Sequence, residues 1–174
     1  MTKPGMMIRP VRSALREVRA SADGKVYICN TGDLVGSQSK IQRIPADFHA
    51  GTPIEDVAPL PRIGPPPDRT VGNPDGSQDV IEFGNNASAP NAMAFRSDSS
   101  LFVSDSFRGA IFRIENADLC TGSCSVSTVQ HDALLATAGF PPFGANGIAF
   151  DSSGRLWVAA NQADEVVVLN GEWI

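Results

Sequence analysis

A chain of 174 residues with 42% hydrophobic content carries enough apolar material for one packed domain, and its 7% aromatic and 19% charged residues match a folded rather than a disordered composition. The formal net charge of −5 excludes a nucleic-acid partner, because neutralising phosphates needs a basic face. No apolar run approaches the roughly 20 residues of a membrane helix, so no membrane partner is expected, and a run such as Val166–Leu169 has the length of a strand.

In chain order, residues 1–14 show no strand periodicity and read as a flexible lead-in; Lys3 and Arg9 flank no apolar core, so the segment is not a secretory signal as written. Strand signals begin at Leu15, with Asp23-Gly24 as a hairpin turn, Val26–Cys29 and Ile41–Ile44 as strands, and a Gly- and Ser-rich loop, Thr31–Lys40, between them. From Pro45 to Ser88 runs a connection rich in Pro, Gly and Asn. Pro65–Pro67 cannot sit in a central strand because proline donates no ladder hydrogen bond, so 59–76 reads as a surface excursion, with Val80–Phe83 as an outer strand after it. Asn86-Ala87-Ser88 matches a glycosylation sequon, meaningful only in a secreted eukaryotic protein. Strands follow within Ala89–Asn116 and at Val126–Val129, and Gly144–Asn170 reads as three short antiparallel strands.

The last of these stretches repeats an earlier one. Asn91 aligns with Asn146, Phe95 with Phe150, Leu101 with Leu156, Val103 with Val158 and Ile114 with Leu169, every pair at the same offset in sequence number and with no gap between them. A weaker copy precedes both: Val26–Ile28 aligns with Leu101–Val103 at one offset, and Ile41–Ile44 aligns with Ile111–Ile114 at a slightly shorter one, the difference being an insertion in the Thr31–Lys40 loop. A fixed offset marks a repeat architecture. Middle strands such as Leu101-Phe102-Val103 are apolar on both faces and need cover on both sides, a demand met by small four-stranded sheets packed face to face around an axis. The expected fold is therefore an all-β propeller, with one blade at about 15–83, a second at about 89–137 and an incomplete third at about 144–174.

Cys29 lies within a strand and reads as a small buried hydrophobe. Cys120 and Cys124, in CTGSC, are either a pair of loop thiols or a disulfide closing a hairpin turn. The default location is the cytoplasm; an oxidised pair would point to the periplasm or the exterior. Zinc is not expected, since there is no second Cys pair and His49 and His131 have no ligand spacing.

The strings PNAMAFRSDSSLFVSD and ANGIAFDSSGRLWVAA resemble the blade motif of the gluconolactonase, regucalcin and luciferin-regenerating-enzyme family of six-bladed propellers, and share their skeleton with NHL-repeat propellers. The resemblance covers about Leu15–Asn170 and implies a divalent cation, commonly calcium, on the propeller axis, held by Asn and acidic side chains at the heads of the inner strands. It maps Asn91 and Asn146 onto ligand positions, and an amide oxygen suits a hard cation. The plainer reading is that both asparagines turn the chain into a strand. The family's first-blade glutamate has Arg16 at the equivalent register, with Glu17 one residue away, so a one-residue bulge is needed to bring Glu17 in as a third ligand; its later aspartate is Asn146 here. Asp105 reads as a local turn acceptor.

Three repeats make about half of a six-bladed ring. The expectation is a partial ring with about three blades, part of a longer chain, with self-association through exposed blade faces as the alternative. The implied activity is metal-dependent hydrolysis of a lactone or similar small-molecule ester; the competing class is a non-catalytic propeller whose loops bind a ligand or protein.

Overall fold

The computed structural model describes residues 15–32, 38–83, 87–138 and 143–171. Within them lie three antiparallel sheets in succession and a detached hairpin. The first sheet orders β1 (Leu15–Ala20), β2 (Lys25–Asn30), β3 (Lys40–Pro45) and β4 (Glu55–Pro59). The second orders β7 (Pro90–Phe95), β8 (Leu101–Asp105), β9 (Ala110–Ile114) and β10 (Val126–His131). The third has β11 (Ala145–Phe150), β12 (Leu156–Ala160) and β13 (Glu165–Leu169). The hairpin pairs β5 (Arg69–Gly72) with β6 (Gln78–Ile81). Two single-turn 3-10 helices, η1 (Ala133–Leu135) and η2 (Asn161–Ala163), punctuate the turns. Among the described residues no helix is long and apolar enough to cross a membrane.

The repeat offsets hold at the level of strand register. Ile28 pairs with Val18, Val103 with Met93 and Val158 with Ile148, so the same cross-strand pair recurs in all three sheets at the offsets read from the sequence. Asn30, Asp105 and Ala160 end the three middle strands, and Lys40, Ala110 and Glu165 oppose them at the start of the next strand. The change of offset between the first two repeats therefore arises between β2 and β3, in the loop that carries the insertion.

Two expectations about the connection change. The outer strand of the first sheet is β4, at 55–59, where Val57 and Ala58 are buried against the core. β6, over 78–81, pairs with β5 in the separate hairpin and is mostly exposed, so the strand signal near Val80–Phe83 belongs to that hairpin. The excursion at 59–76 thus includes a strand, β5, held by the Asn73–Ser77 turn in which Asp75 accepts from the Ser77 amide. The Pro65–Pro67 stretch is in no strand.

Alternation of side chains along each middle strand builds the core. Leu101 and Val103 of β8 face the first sheet and pack in one cluster with Tyr27, Cys29, Ile41 and Val57. Phe102 faces the other way, in a second cluster with Ile148, Leu156 and Val158 of the third sheet. All five residues of β8 are buried, which is why its sequence shows no polar face.

The junction between the first and second sheets is also hydrogen-bonded. Arg43, 3% exposed, reaches across to the carbonyls of Ala117 and Cys120 at 3.0 and 2.9 Å while its Nε donates to Glu55 at 2.9 Å. The Tyr27 hydroxyl donates to the same Ala117 carbonyl at 3.0 Å. Cys120 and Cys124 are joined as a disulfide, and the Cys124 amide donates to the Val57 carbonyl of β4 at 2.9 Å, so the CTGSC turn of the second sheet is docked on the outer strand of the first. A disulfide there is compatible with an oxidising compartment.

Truncating Phe102 to Ala is expected to cost about 3–5 kcal/mol, because the void lies between two sheets that cannot both close on it; urea unfolding should show a lowered midpoint at unchanged slope. Burial pushes the Tyr27 phenol up to about 12 from 10.0, with Arg43 partly opposing the rise. The unfolded phenol ionises first, so stability should be fully present below pH 10 and fall as pH rises from about 10 to 12. In Tyr27→Phe that part of the alkaline slope should disappear from pH-dependent denaturation curves.

Candidate functional site

The site is built from a defect common to the three inner strands. Each begins in register, slips by one residue and recovers: β1 between Leu15 and Val18, β7 between Pro90 and Met93, β11 between Ala145 and Ile148. Two residues of each inner strand therefore oppose one of the middle strand: Arg16 and Glu17 oppose Cys29, Asn91 and Ala92 oppose Ser104, Asn146 and Gly147 oppose Ala159. A bulge redirects side chains and frees backbone groups from the ladder. β7 packs against both β1 and β11, so the three bulges lie on neighbouring inner strands.

Ser104 and Ser106 answer those freed groups. The Ser104 hydroxyl accepts from the Ala92 amide at 3.0 Å and donates to the Asn146 carbonyl at 2.8 Å, tying one bulge to the next. The Ser106 hydroxyl donates to the Ala145 carbonyl at 2.6 Å and accepts from Asn91 Nδ2 at 3.0 Å. A hydroxyl has one proton, and since Ser106 gives it to Ala145, Asn91 must present its amino group and keep Oδ1 for another partner. Among the described residues nothing donates to Asn91 Oδ1, and the Asn146 side chain makes no hydrogen bond; both residues are half-buried. The bulge expected near Glu17 is present, but the Glu17 side chain lies outside the described residues, as do 1–14, Asn86 and residues 172–174.

Asp105 is otherwise engaged. It is 0% exposed, and its Oδ1 accepts from the amides of Ala89, Phe107 and Arg108 at 3.0, 3.1 and 3.1 Å, while Oδ2 takes the Ser88 hydroxyl. Asn30, its counterpart in the first sheet, likewise accepts from the Gly32 amide at 2.9 Å. In the third sheet the position is Ala160, and the turn is carried instead by η2 and by Asp164 in the left-handed region at φ 53°. Asp105 is thus a turn acceptor that fixes the entry to β7. Gly144 does related work at β11: a Cβ there would press into the carbonyl oxygens of Ser106 and Leu135, so only glycine lets the chain pass so close to the second sheet.

Asn91 and Asn146 were visible in the sequence; Ser104, Ser106 and Gly144 were not singled out. The signal available was a hydroxyl inside an apolar middle strand, Ser104, at the place where the neighbouring repeats have Cys29 and Ala159. At the same end of the sheets lies a cavity of about 300 Å³ lined by Ile81, Phe83, Leu134, Ala136, Ala163 and Arg69. Among the described residues no three His, Cys, Asp or Glu side chains converge as a metal centre. As a donor set for a hard cation, two amide oxygens are chemically suitable but supply two of the six to eight that calcium takes.

No protein-family model and no curated protein sequence matches the chain. Several solved structures do in fold. A luciferin-regenerating enzyme is 15% identical with a TM-score of 0.51, over 90% of this chain and 42% of that one. Hydrazine synthase from Kuenenia stuttgartiensis is 12% identical with a TM-score of 0.53, over 91% of this chain and 46% of that one. At this identity the likeness is one of fold, that of β-propellers, and this chain spans less than half the length of either. The fold is therefore an all-β propeller with three blades' worth of sheet.

Replacing Ser104 by Ala should leave the buried Ala92 amide without an acceptor and cost about 1–3 kcal/mol. Ser104→Cys, which installs the residue found at the equivalent position of the first sheet, should recover part of that loss in the same denaturant titration.

Proposed function

We propose that the chain is part of a gluconolactonase-like propeller whose axial site holds a divalent cation, calcium by preference, and hydrolyses a lactone or similar small ester. The observation that carries this reading is the pair of asparagines at equivalent bulges on adjoining inner strands, with Asn91 Oδ1 and the Asn146 side chain unspent among the described residues. Asn91 and Asn146 would hold the ion, with Glu17 as the carboxylate of the set. Such an ion polarises a carbonyl or lowers the pKa of a water. The chain's own part is to hold the Asn91 side chain through Ser106 and the Asn146 backbone through Ser104, with Gly144 allowing the close approach, and to offer a cavity whose described lining is mostly apolar and includes Arg69.

A second reading, a non-catalytic propeller serving as a binding scaffold, is favoured by Asp105. This acidic side chain beside the strand heads has Oδ1 committed to three backbone amides and Oδ2 to Ser88, so its carboxylate serves the turn.

Thermal melting with added calcium separates the two. At free calcium 100-fold above Kd the native state gains about 2.7 kcal/mol, or roughly 5–10 °C for a domain of this size. The shift should vanish when Asn91→Ala and Asn146→Ala are combined. A melting curve unmoved at millimolar calcium sinks the metal reading and leaves the scaffold.

A further inference from the structure

The hairpin β5–β6 pairs with no sheet of the body, and between the two lies the cavity of about 300 Å³. Arg69 and Ile81 are cross-strand partners, so both side chains leave the same face of the hairpin. With Phe83, which is 4% exposed, they form the hairpin's wall of the cavity, whereas Val80 on the opposite face is 60% exposed.

The body's wall is the η1 segment with Ala163 of η2, and it is fixed in place. The Asp132 amide donates to the Gly109 carbonyl at 2.9 Å. Gly109 is in the left-handed region at φ 61°, and a Cβ there would fall 2.4 Å from the Asp132 carbonyl oxygen; one at Gly144 would fall 2.4 Å from that of Leu135. The segment is thus wedged between the β8–β9 turn and the head of β11, at approaches that only glycine allows. Leu135 turns into the core and is 1% exposed. Ala133, Ala136, Ala138 and Ala163 line the cavity instead, and their short side chains leave the space open. Such a lining offers water few hydrogen bonds and accepts an apolar body. At the lower end of the roughly 300–1,000 Å³ of ligand pockets, the space fits a short chain or a single ring.

Arg69 is the charged residue of the described lining, and it is exposed. Among the described residues it makes no ion pair or hydrogen bond, neither with Asp79, on the same hairpin face, nor with Asp132, whose Oδ1 accepts the Leu134 amide at 2.8 Å. A guanidinium presents parallel N–H donors that match the two oxygens of a carboxylate. The geometry points to a monocarboxylate site: a small aliphatic or single-ring organic acid lies with its body against Ile81, Phe83 and Leu134 and its carboxylate on Arg69. The described lining falls between Arg69 and Ala163, so the site does not depend on anything beyond either end of the chain. It rests on the proposed hydrolysis only for the origin of the acid, since water cleaving the acyl C–O bond of a lactone or ester leaves a carboxylate, a hydroxyl and a proton. The binding itself requires no metal.

Isothermal titration of the whole chain in EDTA, with octanoate and its neutral counterpart 1-octanol as probes, tests this. Octanoate should bind about tenfold tighter than octanol, the effect of a hydrogen bond to a charged group. Arg69→Gln should abolish that preference and leave octanol binding unchanged, and Ala163→Leu, which fills the cavity, should weaken both probes. Ala138→Leu takes the place of Ala163→Leu should circular dichroism show that the latter does not fold. No binding of octanoate at millimolar concentration, equal affinity for the two probes, a preference that survives Arg69→Gln, or octanoate binding untouched by the cavity-filling variant overturns the proposal. Calcium melting of the ligand-free protein reads the metal separately. Octanoate binding without a calcium shift keeps the acid site and removes hydrolysis as the source of the acid, whereas a calcium shift without octanoate binding overturns the acid site alone.

Discussion

A strand that is apolar on both faces must be covered on both faces, and the rest of this molecule follows from that requirement at β8. Its alternating residues divide between two cores, Leu101 and Val103 with the first sheet and Phe102 with the third. A lone sheet or a two-layer sandwich would leave one set in water, at a loss of roughly 1.5–3 kcal/mol for each large side chain. Successive sheets stacked face to face cover both. The same alternation in β2 and β12 makes every sheet a donor of one face and an acceptor with the other.

Stacking sheets in this way brings their inner strands together, and the shared bulge places backbone groups of neighbouring strands within reach of the same side chains. An unbroken ladder would spend every backbone group and leave no reason for Ser104 and Ser106 to reach across. Because each inner strand slips by one residue, an amide and two carbonyls near the strand heads need partners, and two serine hydroxyls supply them. The cost of leaving such buried groups unpaired keeps the bulges aligned, and with them Asn91 and Asn146. Asp105 and Gly144 hold the chain entering the two strands, one by accepting three amides and one by having no side chain.

The two junctions are secured differently. Between the first and second sheets the apolar contact is reinforced at its margin by Arg43, Tyr27 and the disulfide-closed turn on Val57. Between the second and third the polar ties are the serine bridges near the axis. Arg43, Arg113 and Val168 occupy equivalent places, partnering Tyr27, Phe102 and Trp157 across the ladder, so the outer face of the third sheet is apolar at the position where the other two carry a guanidinium.

What the sequence determined by itself was the repeat and everything that scales with it: the all-β class, the register of one repeat on the next, the insertion before β3, and Asn91 and Asn146 as equivalent strand-head residues. These were legible because side-chain alternation and offset are properties of the linear chain. Only the tertiary structure decided which segment became the outer strand of the first sheet. Glu55–Pro59 has two prolines close by and two acidic residues, and it is a strand because β3 offers a ladder and Val57 and Ala58 find the core. Val80 and its neighbours have the better strand composition but pair with β5 instead. The roles of Ser104, Ser106 and Gly144 were likewise invisible, since each depends on groups distant in sequence coming within hydrogen-bond or van der Waals reach. Periodicity is written locally and can be read, whereas the choice of partner is settled by competition for hydrogen bonds and apolar cover that exists only once the sheets have met.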